Sequence, residues 1–398
     1  MVPKGWSESY LGEVVTYKKG YAFNSSLYAE EGIRIVRISD TTRDSIHSDN
    51  PVFIAGGNVE GLEQYSLFEN DIILSTVGSR PHLLDSMVGK AVKVPRSAHN
   101  SLLNQNLVKL IPKKTKITNE YLFSMLKKKE FIQFISNLVR GNANQVSITL
   151  ADLFKYKFIL PSLPEQKKIA QILSTWDKAI SVTEKLLANS QQQKKALMQQ
   201  LLTGKKRLLD ENGVRFIKKW KKTTLGDIAK ITTGSSNRQD SSLDGKYTFF
   251  DRSEDIRTSS IYLFDGEAII VPGEGQRFEP KYFIGKFDLH QRTYAIMDFA
   301  SHSGRFLFYM IDYLKVYFLN QAVGSTVKSL RLPMFQKMTF EAPEIEEQQK
   351  IAAVLSAADA EISTLEKKLA CLRDEKKALM QQLLTGKRRV KVDEAVAE

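Results

Sequence analysis

A twelve-residue string, Lys-Lys-Ala-Leu-Met-Gln-Gln-Leu-Leu-Thr-Gly-Lys, occurs twice in this chain, at 194–205 and at 376–387. Traced backwards, the copies stay aligned without a gap. Glu165-Gln166 matches Glu347-Gln348, Lys168-Ile169-Ala170 matches Lys350-Ile351-Ala352, Leu173-Ser174 matches Leu355-Ser356, and Asp177 matches Asp359, each 182 positions apart. A segment that admits no insertion in either copy is under a length constraint. The front ends also repeat: Trp6, Leu11-Gly12 and Gly20 recur 214 positions later as Trp220, Leu225-Gly226 and Gly234. The offset falls from 214 to 182, so the middle of the second half is 32 residues shorter. The chain is a tandem duplication whose halves share their ends and diverge between them.

The shared back end has the period of a coiled-coil seam. Ile169, Leu173, Trp176, Ile180, Thr183, Leu187, Ser190, Lys194, Leu197 and Leu201 alternate in steps of four and three. So do Ile351, Leu355, Ala358, Ile362, Leu365, Leu369, Leu372, Lys376, Leu379 and Leu383. Pro161, Pro164 and Pro343 mark helix starts, and Gly204 and Gly386 stand where C-caps belong. Glu165 and Glu346-Glu347 near the starts, with Lys205-Lys206-Arg207 and Lys387-Arg388-Arg389 at the ends, suit the helix dipole. Each helix should be about 55 Å long at ~1.5 Å per residue. A seam needs a partner, and the other copy is the nearest one, laid antiparallel by the domain between them. Ser190, Lys194 and Lys376 interrupt the seam and help to set its register.

The middles read as short strands and turns. Ile33–Ile38, Asp71–Val77, Lys90–Val94 and Leu107–Ile111 are β-rich runs bounded by Gly, Pro, Asn and Ser, and Ala268–Val271 and Tyr294–Met297 repeat the style. One helix is expected in each half, Tyr121–Leu138 and Phe306–Leu319, because Leu122-Phe123 and Met125 match Leu307-Phe308 and Met310. Asn104-Gln105-Asn106-Leu107 sits where His290-Gln291-Arg292-Thr293 sits, and Gly89-Lys90 resembles Gly285-Lys286. The fold class is therefore α+β: similar α+β domains at 1–160 and 209–342, spacer helices at 161–208 and 343–390, and a tail at 391–398.

With 58 Lys+Arg against 45 Asp+Glu, the net charge of +13 favours a polyanionic partner such as nucleic acid. Cys371 is the single cysteine, which excludes an internal disulfide and a cysteine metal cluster and suits a reducing cytoplasm. The start, Met1-Val2-Pro3-Lys4-Gly5-Trp6, lacks the apolar core of a signal peptide, and no apolar run is long enough to cross a bilayer.

Catalytic motifs are missing. Gln199 and Gln381 replace the first glycine of a phosphate loop before Gly204-Lys205 and Gly386-Lys387. Gly273-Glu274-Gly275-Gln276 begins like a dinucleotide fingerprint, but Phe278 takes the third glycine's place, so the run reads as a turn. There is no Pro-Pro pair of the kind an amino-methylating DNA methyltransferase needs beside an Asp or Asn. Asp265 with Glu279-Pro280-Lys281 is the nearest approach to a nuclease metal site, and it lacks a counterpart in the first half. His47, His82, His99, His290 and His302 show no ligand spacing.

Two divergent domains, each followed by a helix that opens Pro-x-x-x-Glu-Gln-x-x-Ile-Ala (Pro161 to Ala170, Pro343 to Ala352) and closes Leu-Leu-Thr-Gly-Lys, resemble the specificity subunit of type I restriction-modification enzymes. The resemblance spans essentially the whole chain. It implies two target-recognition domains that each read half of a bipartite, gapped site in double-stranded DNA. It also implies similar helices that set the spacing and dock two methyltransferase subunits through the seam, and restriction subunits that join the complex. The subunit itself would be non-catalytic and hold no cofactor or metal. The assembly would use S-adenosylmethionine for DNA methylation, and ATP and Mg2+ for restriction in host defence.

Base reading needs paired donors and acceptors in the major groove, whereas phosphate contacts give affinity without sequence information. The first domain's candidates are Ser79, Arg80, His82, Asn104, Gln105, Asn106, Asn142, Asn144 and Gln145. The second domain offers Arg238, Gln239, Arg252, Gln276, Arg277, His290, Gln291, Arg292, Ser325, Thr326 and Lys328. The partial repetition of Asn104–Asn106 suggests a structural or phosphate role there. A stalk of about 55 Å predicts half-sites one to two turns of B-DNA apart. The competing readings are a coiled-coil adaptor without DNA readout and, more remotely, a stand-alone nuclease.

Overall fold

The computed structural model describes residues 2–392 apart from 81, 82, 84–86, 143, 144 and 254. The chain forms two compact units, residues 1–182 with 369–398, and residues 183–368. In the first unit β1 (Ser7–Tyr10) is followed by β2 (Val15–Lys19), β3 (Ile33–Val36), β4 (Ile72–Ser75), β5 (Val77–Gly78), β6 (Ala91–Lys93) and β7 (Leu107–Pro112). Helices α1 (Asn119–Leu126) and α2 (Lys129–Leu138), a hairpin of β8 (Arg140–Asn142) and β9 (Gln145–Ser147), and β10 (Lys157–Leu160) lead into the long helix α3 (Leu163–Leu201). An antiparallel sheet of order β2-β7-β4-β6 carries the core, β5 extends the β8–β9 hairpin, and β1 closes on β10.

The second unit repeats this plan. It contains β11 (Lys221–Thr224), β12 (Lys230–Thr233), β13 (Tyr247–Phe250), β14 (Phe264–Pro272), β15 (Glu274–Gly275), β16 (Lys281–Leu289) and β17 (Thr293–Met297). There follow α4 (Gly304–Tyr313), α5 (Lys315–Gln321), β18 (Lys328–Ser329), β19 (Thr339–Ala342) and α6 (Ile345–Leu383). The order β12-β17-β14-β16 mirrors the first sheet but continues through β13 to a sixth strand, Arg257–Ser259. The cause is local. In the first unit Pro95 and a 3-10 turn at Arg96–Ala98 separate β6 from the strand Ser101–Leu103, leaving two sheets. Proline cannot donate to a ladder. Strand β16 runs unbroken through the corresponding stretch, so one sheet results.

Two expectations need correction. Each domain helix is broken in two: α1 ends at Lys127 and α2 starts after Lys128, while α4 and α5 meet at Leu314. The buried positions explain the first break, since Leu126 and Phe131 are both buried yet five residues apart, a step that one straight helix would turn off its apolar face. The proposed match of Gly89-Lys90 with Gly285-Lys286 also fails. Gly89 precedes β6 and donates to Ser75, whereas Gly285 faces Gly266 in the middle of the β14–β16 ladder. The match between α1 and α4 holds, because Thr118 and Ser303 cap equivalent starts by accepting the amides of Tyr121 and Phe306.

Helices α3 and α6 contain 39 residues each, about 58 Å at ~1.5 Å per residue. All seam residues of both helices are buried or half-buried. In the first unit Asp177 meets Lys376 and Glu165 meets Arg389, so the helix segments run antiparallel. In the second, Lys194 meets Asp359 at 2.5 Å, Ser190 donates to Glu361 at 3.0 Å, and Arg207 meets Glu347, again antiparallel. The seam lysines therefore have carboxylate partners. Each unit's core includes the beginning of one long helix and the end of the other: Ile169 and Leu173 with Leu383 and Leu384, and Ile351 and Leu355 with Leu201 and Leu202.

The repeated Glu-Gln pair ties these parts together. Arg389 donates to Glu165 Oε1 through Nε (2.9 Å) and Nη2 (2.6 Å), and Trp6 Nε1 donates to Glu165 Oε2 at 3.0 Å. Arg207 likewise donates to both oxygens of Glu347, at 2.7 and 2.6 Å. Gln166 accepts the Thr118 amide and donates to the carbonyls of Lys116 and Pro161. Gln348 does the same for Ser303 and Pro343. Gly204 (φ +68°) and Gly386 (φ +70°) end the helices in the left-handed conformation, closed by bonds from Lys206 to Gln200 and from Arg388 to Gln382.

The Glu347 side chain is only 2 % exposed, so Glu347→Ala should leave Arg207 unpaired and cost about 3 kcal/mol, read as a lowered calorimetric transition. An unchanged transition would show that the ion pair carries no weight. Alanine at either cap glycine should cost about 1 kcal/mol for its positive φ. Gly386→Ala should cost more than Gly204→Ala, because its Cβ would lie 2.4 Å from Pro3 whereas the other meets Trp220 at 3.4 Å. Equal losses in urea titrations would refute that ranking.

Candidate nucleic-acid interface

In both units a tight turn between sheet strands is held by the same backbone bonds. In the first, Asn104 donates to Val36, Gln105 to Tyr21, and Thr76 to Asn106. In the second, His290 donates to Phe250, Gln291 to Ser236, and Gly273 to Arg292. Just beyond, Gly78 pairs with Val146 and Gly275 with Lys328. The frame is common to both units; it carries a glutamine in each, Gln105 and Gln291, and differs on either side of it, Asn104 against His290 and Asn106 against Arg292.

Ser79 and Arg80 follow β5 in the first unit, with Arg80 exposed and the Ser79 hydroxyl donating to Leu83 O at 3.4 Å. Asn142 and Gln145 face each other across the β8–β9 hairpin. His82 and Asn144 lie outside the described residues. Asn104 is buried, with 9 % exposure, and belongs to the turn's interior. Gln105 and Asn106 are exposed, and Asn106 holds the turn with φ +68°. Asn142 and Gln145 are thus paired in register on the strands that β5 joins through Gly78 and Val146, Ser79 and Arg80 follow β5 directly, and Asn104 turns inward.

In the second unit Arg238, Asp251, Arg252, His290, Gln291 and Arg292 line a cleft of about 310 Å³. Glu274, 14 % exposed, receives Arg252 Nη1 at 3.2 Å and Arg292 Nη1 at 2.5 Å. Asp251, 2 % exposed, lies 3.8 Å from Arg238 Nε. Burial pushes its carboxyl up, but the Ser253 hydroxyl and amide with Arg238 and Arg257 hold it below its ordinary range. Burial pulls the His290 imidazole down, and its Nδ1 accepts the Arg292 amide, which leaves Nε2 as the donor. The Gln291 amide donates to Asn237 at 2.6 Å. Gln276, Arg277, Ser325, Thr326 and Lys328 are exposed on or beside the β15–β18 pair, and Gln239 is exposed on the 3-10 turn Arg238–Asp240.

Two acids belong with these donors and carry no base-reading signature in the sequence: Asp251, which lines the cleft, and Glu274, which pairs with two of its arginines. The signal for Glu274 was its place between Gly273 and Gly275, the run that fails as a dinucleotide motif. The nuclease arrangement does not form. Asp265 pairs with Lys286 and Ile270 with Lys281, which puts Asp265 and Lys281 five ladder positions apart, about 17 Å. Glu279 is taken by Lys315 at 2.7 Å. Among the described residues no cluster of three His, Cys, Asp or Glu could hold a metal ion. No described helix is long and apolar enough to cross a membrane.

A protein of Methanocaldococcus jannaschii with the provisional name MjaX specificity subunit of a type I restriction enzyme is 26 % identical over 423 aligned positions, covering 98 % of this chain and 95 % of that one. The MjaVIII specificity subunit of the same organism is 28 % identical over 214, covering 53 % of this chain and 48 % of that one. The crystal structure of a type I restriction-modification S subunit from M. genitalium shares the fold, with a TM-score of 0.65, 14 % identity and 96 % of each chain covered. Residues 3–189 and 217–372 match the family described as the type I restriction modification DNA specificity domain. With both halves matched and their frames equivalent bond for bond, the chain belongs to that family.

Proposed function

We propose that this chain is the DNA-reading subunit of a type I restriction-modification assembly, each unit reading one half of a gapped duplex site. The observation that carries this reading is the pair of equivalent turns. An equivalent frame presents a glutamine in both units, Gln105 and Gln291, and beside it Asn106 in one and Arg292 in the other, a difference that suits two readers of unlike sequence. The chain contributes recognition and no chemistry. Two methyltransferase subunits supply adenine methylation from S-adenosylmethionine, and restriction subunits supply ATP- and Mg2+-dependent cleavage. Helices α3 and α6 set the spacing of the half-sites and dock the methyltransferases.

Single-molecule sequencing of DNA from cells co-expressing the chain and its methyltransferase should show methylated adenines in one gapped motif. A contiguous motif, or none, would sink the reading. Binding by the assembly should weaken steeply with salt, whereas an adaptor without DNA readout would show no salt-dependent binding. Removing one heptad from each helix, between the Asp177–Lys376 and Ser190–Glu361 contacts, should change the spacer and keep both half-sites. Altered half-sites would refute the ruler. The purified chain with Mg2+ should leave plasmid DNA intact, and cleavage abolished by Asp265→Asn would restore the nuclease reading.

A further inference from the structure

The cleft of the second unit has an electrostatic peculiarity. Three arginines, Arg238, Arg252 and Arg292, face two carboxylates, Glu274 and Asp251, that are 14 % and 2 % exposed. The five formal charges leave only one net positive charge. A phosphate brought here would meet two carboxylates already paired with these arginines, and Coulomb repulsion would offset much of the arginines' attraction. A neutral base edge meets no such repulsion and is selected by donor geometry instead.

Glu274 supplies that geometry. It takes one Nη1 contact from each of Arg252 and Arg292, leaving Nε and Nη2 of each as a fork for a second partner. The guanidinium fork matches the O6 and N7 acceptors of guanine in the major groove. The first unit lacks this device. Val77 stands in the place of Glu274, and Arg37, tied to Asp40 at 2.8 Å, stands in that of Asp251.

We infer that the half-site read by the second unit contains guanine, contacted by Arg252 and Arg292, with Glu274 as the positioning residue that holds both guanidiniums for it. This rests on the proposed DNA-reading function and names the bases one reader takes. In the first unit the exposed turn side chains at the equivalent place are Gln105 and Asn106, the residue types that pair with adenine.

The test compares methylation motifs of the assembled wild-type chain with those of Arg292→Lys, Arg252→Lys and Glu274→Gln. Lysine keeps the charge and loses the rigid fork, so a phosphate contact would survive it and a two-point contact to a base would be weakened. Each lysine variant should relax one G·C position of one half-site, with guanine preference there falling roughly ten- to hundredfold, and the other half-site unchanged. Glu274→Gln should relax the same positions less severely. Replacing that guanine by 7-deazaguanine should weaken wild-type binding more than that of the matching lysine variant. Relaxation at an A·T position, or uniform weakening without relaxation, overturns the inference while the DNA-reading function stands. A wild-type assembly with no gapped motif removes that function and the inference together. A variant that no longer folds would lose methylation at every site and also its calorimetric transition, and Arg252→Lys and Arg292→Lys then decide separately.

Discussion

The clasp between the arginine that follows one long helix and the glutamate that begins the other is the constraint on which the rest depends. Arg389 reaches Glu165 and Arg207 reaches Glu347, across sequence separations of 224 and 140 residues. A buried carboxylate tolerates its desolvation only when its oxygens are occupied, so helix end, helix start and domain must arrive together. In the first unit Trp6 completes the set, while Trp220 Nε1 in the second has no hydrogen-bond partner. The adjoining glutamine carries the constraint into each domain by holding the carbonyl that precedes its helix and the cap of α1 or α4. This explains why the Glu-Gln pair is repeated at a fixed offset.

What was legible in the sequence followed periodicity and repetition. The four-three seam marks the half-exposed and buried positions of α3 and α6, since a helix in water must turn one stripe inward. The start and end of each repeat were visible as identities. In the sequence Arg207 and Arg389 are only helix-dipole charges, because a partner so distant in sequence cannot be found from local spacing. The domain helices look continuous in the sequence because a break that re-aims a helix leaves only a skipped period, as between Leu126 and Phe131. Pro95 was visible, but its effect, two sheets where the other half has one, depends on tertiary pairing.

The site was legible as a set of residue types and not as an arrangement. Arg238, Arg252, Gln291 and Arg292 line one cleft although they come from three segments. Asn104 shares their composition and lies inside its turn. Residue type says what a side chain can bind, whereas strand register says which way it faces, and register emerged only from long-range pairing. The acids Asp251 and Glu274 were hidden for a related reason: a carboxylate beside arginines has meaning only once the distance is known.

The division of the units has a consequence for how the protein is made. Residues 183–368 are continuous and hold all of the second core, so that unit can close as soon as its last residue has left the ribosome. The first unit begins at the N-terminus, yet its core also contains Leu383 and Leu384 from the far end of the chain. Its apolar surface must wait, partly uncovered, through the synthesis of the entire second unit. The earlier half in the message is the later one to be completed, and a ribosome that stops before α6 is finished leaves behind one finished reader and one open core.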